Sequence, residues 1–357
     1  MTETSKRPTT REMERAFYGR DGSYDGVFFV GVRTTGVFCV PSCAARKPLA
    51  RNVEYFASPA DAKAAGYRPC RRCRPERAAG VAPDWIDGLL RRVDRDPSAR
   101  LFDRDLVAMG LPPSRVRRYF RDRFGMTFHA YCRSRRMAGA LHDIRVGADL
   151  DQVVFDHGYE SHSGFRSAFA KTFGLPPGRS RATECIEVAL VDTPLGPVVV
   201  GATASALCLV EFATRRMLAT QVDVLRRRFR AAVVPGHNAV IAHTARELGE
   251  YFAGRRTRFD VAIVSPGTPF QERVWSAVRA IPYGATESYE AIARAVGRPG
   301  AVRAVGTANG ANRLAIVIPC HRVRKKSGEP GGYGGGRWRK EALLELERSR
   351  ARPRSAG

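Results

Sequence analysis

The amino-acid sequence predicts a multidomain α+β protein. The chain has 357 residues, which is enough for about two to four domains with separate cores. Three stretches, around 74–83, 178–184 and 265–269, are typical of linkers because Pro, Gly and small residues interrupt the patterned segments there. The patterned segments differ in cysteine content and in the period of their apolar residues. We therefore expect four units, at 1–78, 82–182, 184–265 and 266–350.

The period of the apolar residues separates helical segments from a β-rich one. Between 84 and 180 they recur at helical spacing, with glycines marking the turns. From 186 to 212, apolar runs around a Thr-Pro-Leu-Gly turn predict strands. Helical spacing then returns after Pro269, and the apolar run 316–323 is typical of a strand that delivers a cysteine. The individual predictions are turns at Gly110, Gly125, Gly147, Gly158 and Gly174, strands at 186–191, 198–200 and 206–212, and helices at 270–280 and 289–296.

The chain is strongly basic. Its 60 Lys and Arg residues exceed its 35 Asp and Glu residues, and the formal net charge is +25. Such an excess favours polyanions, so nucleic acid is the first expected partner and an anionic membrane surface the second. A GC-rich genome would explain arginine in place of lysine, but not the sign of the charge. The sequence has no run of about 18 apolar residues and no apolar signal core in residues 1–11, so we expect a cytoplasmic protein without a membrane span. Because nucleic acid is the favoured polyanion, we expect nucleoid association and no membrane partner.

Four of the eight cysteines form two short-spaced pairs, Cys39-x-x-x-Cys43 and Cys70-x-x-Cys73. In a reducing compartment, cysteines are first considered as metal ligands or nucleophiles. Two converging pairs of thiolates give tetrahedral sulfur coordination, for which zinc is the default metal, so we predict a Zn²⁺ site. A purely structural zinc is the ordinary role of such a site, and the spacing alone does not exclude it.

Cys320 differs from these four because His321 follows it directly, at the end of an apolar run. A thiol is a good nucleophile only as the thiolate, and a neighbouring imidazole is the usual means of forming one near neutral pH. The pair alone is a weak signal. A thiol hydrolase acting on a small molecule would use the same pair, although it would leave the net charge unexplained. The remaining cysteines are predicted to be buried apolar residues, namely Cys132, Cys185 and Cys208.

The two cysteine pairs lie in segments 25–43 and 65–73, which resemble the N-terminal domain of bacterial Ada proteins. The resemblance implies that Cys39, as a zinc-bound thiolate, accepts a methyl group from a methylphosphotriester in the DNA backbone. Four thiolates around Zn²⁺ leave a negative site, so methylation of one of them lowers its repulsion from DNA phosphates. Damage would thereby increase the affinity for DNA. The candidate phosphate contacts are Arg46, Arg71 and Arg72.

Segments 111–125 and 153–169 are similar to the tandem helix-turn-helix domain of AraC-type regulators, in which each second helix enters a major groove. The resemblance implies sequence-specific DNA binding, and we expect contacts from Arg115 and Arg166. A basic helical bundle that only tethers its neighbours is the alternative. Three positions depart from the pattern of that family and would change how its helices pack, namely Leu106, Pro112 and Val154.

From residue 186 onward the sequence resembles the O6-alkylguanine-DNA alkyltransferases, most specifically over 270–347. The order and spacing of several short motifs carry this resemblance. It implies a small β-rich subdomain followed by a helical, winged-helix-like subdomain that binds a base flipped out of the duplex. The matching motifs are Phe270-Gln271-Glu272-Arg273-Val274-Trp275, Ile281-Pro282-Tyr283-Gly284, Ser288-Tyr289, Arg303-Ala304-Val305-Gly306, residues 309–312 and Pro319-Cys320-His321-Arg322-Val323.

The alkyltransferase resemblance implies a single-use acceptor at Cys320. Its thiolate would attack the alkyl carbon, and O6 of guanine, or O4 of a methylated thymine, would leave. His321 would activate the thiol through a water molecule, and Glu347 would orient the imidazole. No other cysteine is near in sequence to regenerate the thioether, so each molecule would react once at this site.

Further roles follow from the same resemblance. Tyr289 would press on the target phosphate and donate to N3 of guanine, although a core tyrosine would look the same in the sequence. Arg303 would enter the vacated base stack, from an Ala- and Gly-rich helix that permits close approach to the minor groove. Asn312 would tie this helix to the cysteine segment. The glycine-rich segment 331–336 would cover the base, with Gly334 where many family members have serine.

Together these resemblances cover nearly all of residues 12–350 and imply an Ada-type protein. They imply an irreversible methyltransferase that becomes a transcriptional activator once Cys39 is methylated. The implied cofactor is Zn²⁺, and the implied partners are alkylated DNA, promoter DNA and RNA polymerase; we expect a monomer. The alternative is a zinc-dependent regulator with a non-catalytic alkyltransferase-like domain. It predicts damage at Cys320, His321 or Glu347, which the sequence does not show.

Overall fold

The computed structural model describes seven ranges of the chain. Of the expected linkers, 77–83 and 180–184 lie outside these ranges, as do the turns expected at Gly125 and Gly174. Among the described helices, none combines the length and the apolar character needed to cross a membrane. The ranges are 8–76, 84–96, 98–124, 126–173, 176–179, 185–213 and 218–351.

The first unit combines a four-stranded sheet with two short helices. Its elements are α1 (Thr10–Tyr18), β1 (Phe29–Val32), β2 (Val37–Cys39), β3 (Val53–Phe56), α2 (Pro59–Ala64) and β4 (Arg68–Pro69). The strand order is β3-β1-β2-β4, and β4 runs parallel to β2. This pairing brings the second cysteine pair beside the first, because the amide of Cys70 donates to the carbonyl of Phe38 at 2.9 Å. A capping box between Ser58 and Asp61 begins α2.

The second unit is helical throughout its described residues, as the sequence predicts. Its helices are α3 (Asp84–Arg95), α4 (Asp103–Ala108), α5 (Pro113–Phe124), α6 (Phe128–Arg145), α7 (Leu150–Asp156) and α8 (His162–Phe173). One apolar cluster joins α6 to α3, α4 and α5, and another joins it to α7 and α8. The turns between α4 and α5 and between α7 and α8 contain Gly110 and Gly158, both at φ of 71°. Two helix-turn-helix units thus share one long helix.

The third unit is a four-stranded sheet with two helices. Its elements are β5 (Cys185–Val191), β6 (Val198–Ala202), β7 (Leu207–Phe212), α9 (Leu218–Phe229), β8 (Ala232–Pro235) and α10 (Ala239–Phe252). The strand order is β7-β6-β5-β8, with β8 parallel to β5. The sequence predicts the first three strands but not β8. Cys185 and Val234 of this sheet join the apolar cluster of α6 to α8, so the second and third units share part of a core.

The fourth unit is helical apart from a two-stranded parallel pair. Its elements are α11 (Pro269–Arg279), β9 (Glu287–Ser288), α12 (Tyr289–Ala295), α13 (Val302–Gly310), β10 (Val323–Arg324) and α14 (Arg337–Ala351). Helices α11 and α12 lie where the sequence predicts helices, and α12 and α13 form a further helix-turn-helix. A single apolar cluster spans these helices and the sheet of the third unit. The predicted multidomain α+β class is confirmed.

The apolar run 316–323 is largely not a strand, and the prediction from its sequence is wrong. Residues 315–318 form turns in which Ile316 has φ of 72°, and a 3-10 helix follows at Cys320–Arg322. The cause lies in the tertiary structure. Beside the run, within the described ranges, the backbone pairs with Val210 of β7 only as a single bridge at Leu314. The side chain of Asn312 then binds the amide of Leu314 and the carbonyl of Ile318, which holds the chain in a turn.

Candidate functional site

A cavity of about 370 Å³ lies within the fourth unit, between α12 and α13 on one side and the glycine-rich segment 331–336 on the other. Cys320, Tyr289 and Asn312 line it, so the structure brings three of the predicted residues together. Its volume is near the lower end of the range for ligand pockets, about 300–1,000 Å³. Arg303 does not belong to its wall, because it lies on the exposed face of α13.

Two asparagine side chains hold the backbone around Cys320. Asn312, which is 2% exposed, donates to the carbonyl of Ile318 at 2.9 Å and accepts from the amide of Leu314 at 2.9 Å. Asn309 donates to the carbonyl of Cys320 itself at 3.3 Å. Because Asn309 lies in the last turn of α13 and Asn312 lies two residues after its end, they attach this helix to the cysteine segment. The sequence assigned such a role to Asn312 but not to Asn309.

A buried polar network lies behind Cys320. His321 and Glu347 are both 0% exposed, and Nε2 of the histidine lies 2.9 Å from Oε1 of the glutamate. Arg322 donates to the same carboxylate from Nε at 2.8 Å and from Nη2 at 2.9 Å, and the hydroxyl of Tyr251 donates to it at 2.7 Å. Glu347 is therefore the centre of the network and not a solvated charge on α14.

Burial and hydrogen bonding act on this network in opposite directions. Burial raises the pKa of Glu347, but hydrogen bonds and charge from His321 and Arg322 outweigh it and lower that pKa to about 2. Burial lowers the pKa of His321 despite its bond to the carboxylate. The imidazole is then neutral near pH 7, with its proton on Nε2. Nδ1 of His321 is the basic nitrogen, and it is buried without a hydrogen-bond partner among the described residues.

Two further polar groups act on Cys320. Burial, and then charge at Cys320, raise the pKa of Tyr289, so its hydroxyl keeps its proton. Lys340 on α14 is 0% exposed and donates to the carbonyl of Val323. Burial lowers the pKa of this lysine to about 8. The sequence missed Lys340 because a lysine among charged residues of a helix is ordinarily exposed.

The segment 331–336 covers the cavity closely and mostly with backbone. A Cβ on Gly331 would lie 3.2 Å from the Tyr289 hydroxyl, and one on Gly335 would overlap the Phe212 ring. Space therefore favours glycine at Gly335, and the positive φ of 65° favours it at Gly331. Gly334 is exposed, and with no side chain it leaves only its backbone groups to contact a ligand.

The four predicted metal ligands converge at one edge of the first unit. The Sγ atoms of Cys39, Cys43, Cys70 and Cys73 all lie within 4.8 Å of one another. Tetrahedral Zn–S bonds of about 2.3 Å place sulfur atoms about 3.8 Å apart, so the four thiols fit Zn²⁺. Hydrogen bonds from Cys39 and Cys73 lower the pKa of Cys43, whereas the hydrogen bonds with Cys43 and Cys73, together with burial, raise the pKa of Cys39. Without a metal ion, the proton is therefore lost at Cys43 before Cys39. Cys39 and Cys43 are buried, whereas the other two are partly exposed.

The predicted DNA-contacting arginines differ in how far they are exposed. Three are exposed: Arg46 near the cysteine cluster, Arg166 on α8 and Arg303 on α13. Arg115 on α5 is only half-exposed, and its guanidinium lies 4.8 Å from the ring centroid of Trp85. This cation–π contact holds Arg115 against its own unit, so less of its charge faces outward than the sequence suggests.

Three family models match the chain. The metal binding domain of Ada covers residues 12–76, a helix-turn-helix domain covers 107–183, and the DNA binding domain of 6-O-methylguanine DNA methyltransferase covers 269–349. They fall on the first, second and fourth units. Together with the sulfur cluster, the first match supports Zn²⁺ at the four cysteines, as predicted from their spacing.

The chain is also similar to whole proteins. It is 35% identical over 334 residues to the bifunctional transcriptional activator/DNA repair enzyme Ada of Escherichia coli, covering 92% of this chain and 93% of that one. It is 47% identical over 161 residues to the methylated-DNA–protein-cysteine methyltransferase of Mycobacterium tuberculosis, covering 45% of this chain and 92% of that one. The crystal structure of Mycobacterium tuberculosis OGT in complex with DNA covers 46% of this chain and 94% of that one, at 44% identity and a TM-score of 0.40.

Proposed function

Because the chain belongs to the Ada family, we propose that it repairs alkylated DNA by transferring methyl groups irreversibly onto two of its own cysteines. Cys320 accepts the methyl of O6-methylguanine or O4-methylthymine, and Cys39 accepts that of a methylphosphotriester. Methylation of Cys39 then makes the chain a sequence-specific activator of the adaptive response to alkylation. The buried network behind Cys320, with His321 and Glu347 in contact, is the observation that carries the proposal.

The proposal assigns one task to each part of the chain. Residues 1–78 accept methyl groups from phosphotriesters, and residues 82–182 recognise promoter DNA. Residues 184–265 form the β-rich part of the alkyltransferase, and residues 266–350 form the part that binds the damaged base. The shared apolar cluster of the last two parts supports treating them as one functional body.

At Cys320 the reaction moves one proton and one alkyl group. Nδ1 of His321 is the base for the thiol proton, and Glu347 holds the opposite ring nitrogen and stabilises the imidazolium that forms. The sulfur attacks the alkyl carbon, so the C–S bond forms as the bond from carbon to O6 breaks. The electron pair stays with guanine, which leaves neutral when N3 takes the proton of the Tyr289 hydroxyl, and the proton held by His321 then replaces it on the tyrosine. The positive charge of Lys340 favours the thiolate.

At Cys39 the acceptor is a sulfur within the four-thiol cluster. Zinc, when bound, keeps these sulfurs deprotonated and electron-rich. The sulfur of Cys39 takes the methyl carbon, and the departing group is an ordinary phosphodiester anion. A methylphosphotriester is neutral, so it meets less repulsion from the cluster than an unmodified phosphate does. Arg46 offers positive charge to the neighbouring phosphates.

We assign α13 to the minor groove. Arg303 is exposed on this helix and takes the place of the flipped base in the stack. A Cβ added at Gly306 or Gly310 would meet nothing within 4 Å, so the helix presents an open, narrow face. Such a face lets the backbone approach the groove closely. The cavity that contains Cys320 begins at the same helix.

We assign the second unit to promoter recognition. Its two helix-turn-helix units place α5 and α8 as second helices, and these carry Arg115 and Arg166. Arg166 is exposed and can reach a groove, whereas Arg115 must leave Trp85 to do so fully. For activation the methylated chain would bind RNA polymerase as a monomer at the promoter, within the nucleoid.

The alternative function is a zinc-dependent regulator whose alkyltransferase-like part has lost its chemistry. The buried network of His321, Arg322 and Glu347 favours a catalytic alkyltransferase over this alternative. Burial of these charges costs free energy, and a part of the chain that served only for docking would gain nothing from keeping them. The full set of polar residues around Cys320 also remains in place.

Two labelled DNA substrates test the proposal. One carries labelled methyl on guanine O6 and the other on a backbone phosphate. We expect stoichiometric label on Cys320 from the first and on Cys39 from the second. Cys320→Ala and Cys39→Ala should each lose one of these transfers, whereas Cys208→Ala, which removes a fully buried thiol, should lose neither. No transfer to the wild type, or transfer that survives both substitutions, would refute the proposal.

The activator part has its own test. Promoter affinity is measured before and after methylation of Cys39, with the Cys39→Ala chain treated in parallel as the control. We expect the affinity to rise in the wild type only, because methylation removes negative charge from the cluster. Equal affinities before and after methylation would remove the switch and leave repair standing.

A further inference from the structure

The first unit contacts the alkyltransferase at the end of its lid. We call residues 331–336, which cover the cavity, the lid; Trp338 follows it in the first turn of α14. Trp338 packs against the apolar cluster of the first unit that contains Phe17 and Tyr24. Its indole N–H donates to the backbone carbonyl of Ser23. These residues are more than 300 positions apart, so the contact joins the two ends of the described chain.

The lid end has no room for side chains. Gly336 has φ of 97°, a conformation that favours glycine, and a Cβ there would overlap Ser23 Oγ. A Cβ on Gly335 would overlap the ring of Phe212 on β7. The end of the lid is thus held between the first unit on one side and the sheet of the third unit on the other.

Two arginines beside Trp338 also hold the lid end against the first and third units. The guanidinium of Arg339, 4% exposed, lies 4.6 Å from the Trp338 ring centroid and 4.5 Å from that of Phe212. It donates to the carbonyl of Gly335 at 2.7 Å, which ties the lid end to these rings. The neighbouring Arg337 lies 4.0 Å from Glu12 of the first unit.

The same part of the first unit reaches the cysteine cluster. A 3-10 helix at Gly22–Tyr24 carries the Ser23 carbonyl, and Asp25 follows it. The carboxylate of Asp25 accepts from the amide of Ser42 at 2.9 Å and from its hydroxyl. Ser42 lies between Cys39 and Cys43 in the chain. A continuous path of contacts therefore joins the loop of one acceptor cysteine to the lid of the other.

We propose that a docking surface on the first unit, formed by Glu12, Ser23 and Tyr24, binds residues 335–338 and holds the lid over the cavity. Release of this surface loosens the lid and slows alkyl transfer to Cys320. The effect on transfer rests on the proposed function, whereas the docking itself does not.

Substitution of Ser23 tests the docking from the side that has no part in the alkyltransferase. Ser23→Arg places a long side chain against Gly336, and Thr34→Arg adds the same charge at an exposed turn of the same unit. Hydrogen exchange of residues 331–338 is measured in the full chain. We expect Ser23→Arg to raise exchange there by about tenfold, the effect of losing roughly one buried hydrogen bond. Thr34→Arg should match the wild type.

Transfer to Cys320 in a single turnover, with O6-methylguanine DNA, is measured on the same three chains. We expect a slower rate for Ser23→Arg alone, by about the same factor. Wild-type exchange at 331–338 in Ser23→Arg would overturn the docking, and raised exchange with an unchanged rate would overturn its effect on the lid. Raised exchange with no transfer by any chain would instead remove the proposed function and leave the docking intact.

A second variant guards against a folding defect in the first unit. Trp338→Ala breaks the same contact from the other side, and it should raise exchange in residues 12–28 as well as in 331–338. Zinc content per chain, measured on both variants, should equal that of the wild type. If Trp338→Ala leaves exchange in residues 12–28 unchanged, the two units are not docked through this surface.

Discussion

Replacement of Glu347 by Gln tests the buried network most sharply. The carboxylate accepts hydrogen bonds from His321, from two nitrogens of Arg322, from Tyr251 and, at 3.2 Å, from the amide of Gly284. Glutamine keeps the shape but has one oxygen in place of two. Its amide nitrogen would face donors, and Arg322 would be left as a buried charge without its partner.

The magnitude follows from this arrangement. Removing one member of a buried ion pair costs about 3–5 kcal/mol, and domains are stable by about 5–15 kcal/mol. The variant is therefore expected to fold at 25 °C but to unfold at a lower urea concentration. Loss of an oriented base should slow transfer to Cys320 by about 10²–10⁴-fold. Both effects come from the same carboxylate, so they should appear together.

Urea unfolding and single-turnover methyl transfer measure the two effects. Glu345→Gln is the matched control, because Glu345 lies on the same helix with an exposed side chain that pairs with Arg348. Loss of a surface pair changes stability by about 1 kcal/mol or less, and it should leave transfer unchanged. The reasoning is refuted if Glu347→Gln unfolds at the wild-type midpoint and transfers at the wild-type rate.

Three other substitutions or conditions give distinct outcomes. Asn312→Ala removes the hydrogen bonds that hold the cysteine segment. We expect the free energy of unfolding in urea to fall by about 2–3 kcal/mol and transfer to Cys320 to become slower. Wild-type values for both would contradict the role of Asn312. Cys43→Ala should abolish stoichiometric zinc binding measured by metal analysis, whereas Cys208→Ala should keep it, and equal zinc contents would contradict the four-thiol site. The pKa of His321 is lowered from its ordinary 6.5 by burial, so transfer should hold constant down to pH 6.5 and fall only below it. As pH falls, His321 is protonated in the unfolded chain before it is protonated in the folded chain. The stability that the neutral, buried His321 contributes is therefore present above pH 6.5 and is lost as pH falls toward the lowered pKa. A transfer rate that already falls by half above pH 6.5 would contradict a neutral imidazole.

The cysteine cluster shows what local spacing can predict. Two pairs of cysteines at short spacing suffice to indicate a metal site, because the donor chemistry is contained in the residues themselves. The pairing of β2 with β4 then brings the pairs together. The helices of the second unit were similarly predictable, since their apolar period is local.

The network around Cys320 shows where local reasoning stops. The sequence placed Glu347 with His321 only through a family resemblance, because its own segment looks like a solvated helix. Lys340 gave no signal for the same reason. Their burial depends on how α14 packs against the segment that carries Cys320, which no local pattern specifies.

The strand predicted for residues 316–323 was wrong for a related reason. Its apolar residues are strand-like, but Asn312 closes a turn by binding the carbonyl of Ile318, and Ile316 adopts a positive φ. A functional segment can thus override the propensity of its residues. The contact of Trp338 with Ser23 is likewise invisible in sequence, since it depends on two distant surfaces meeting.

The central claim is that Cys320 is a single-use acceptor for an alkyl group from a DNA base. Its most direct test is peptide mass spectrometry of the full chain after reaction with an excess of O6-methylguanine DNA. The account predicts one added methyl group, on the peptide that contains Cys320, and no further repair once every chain carries it. Repair that continues beyond one base per chain, or a methyl group on any other residue in place of Cys320, would contradict the account.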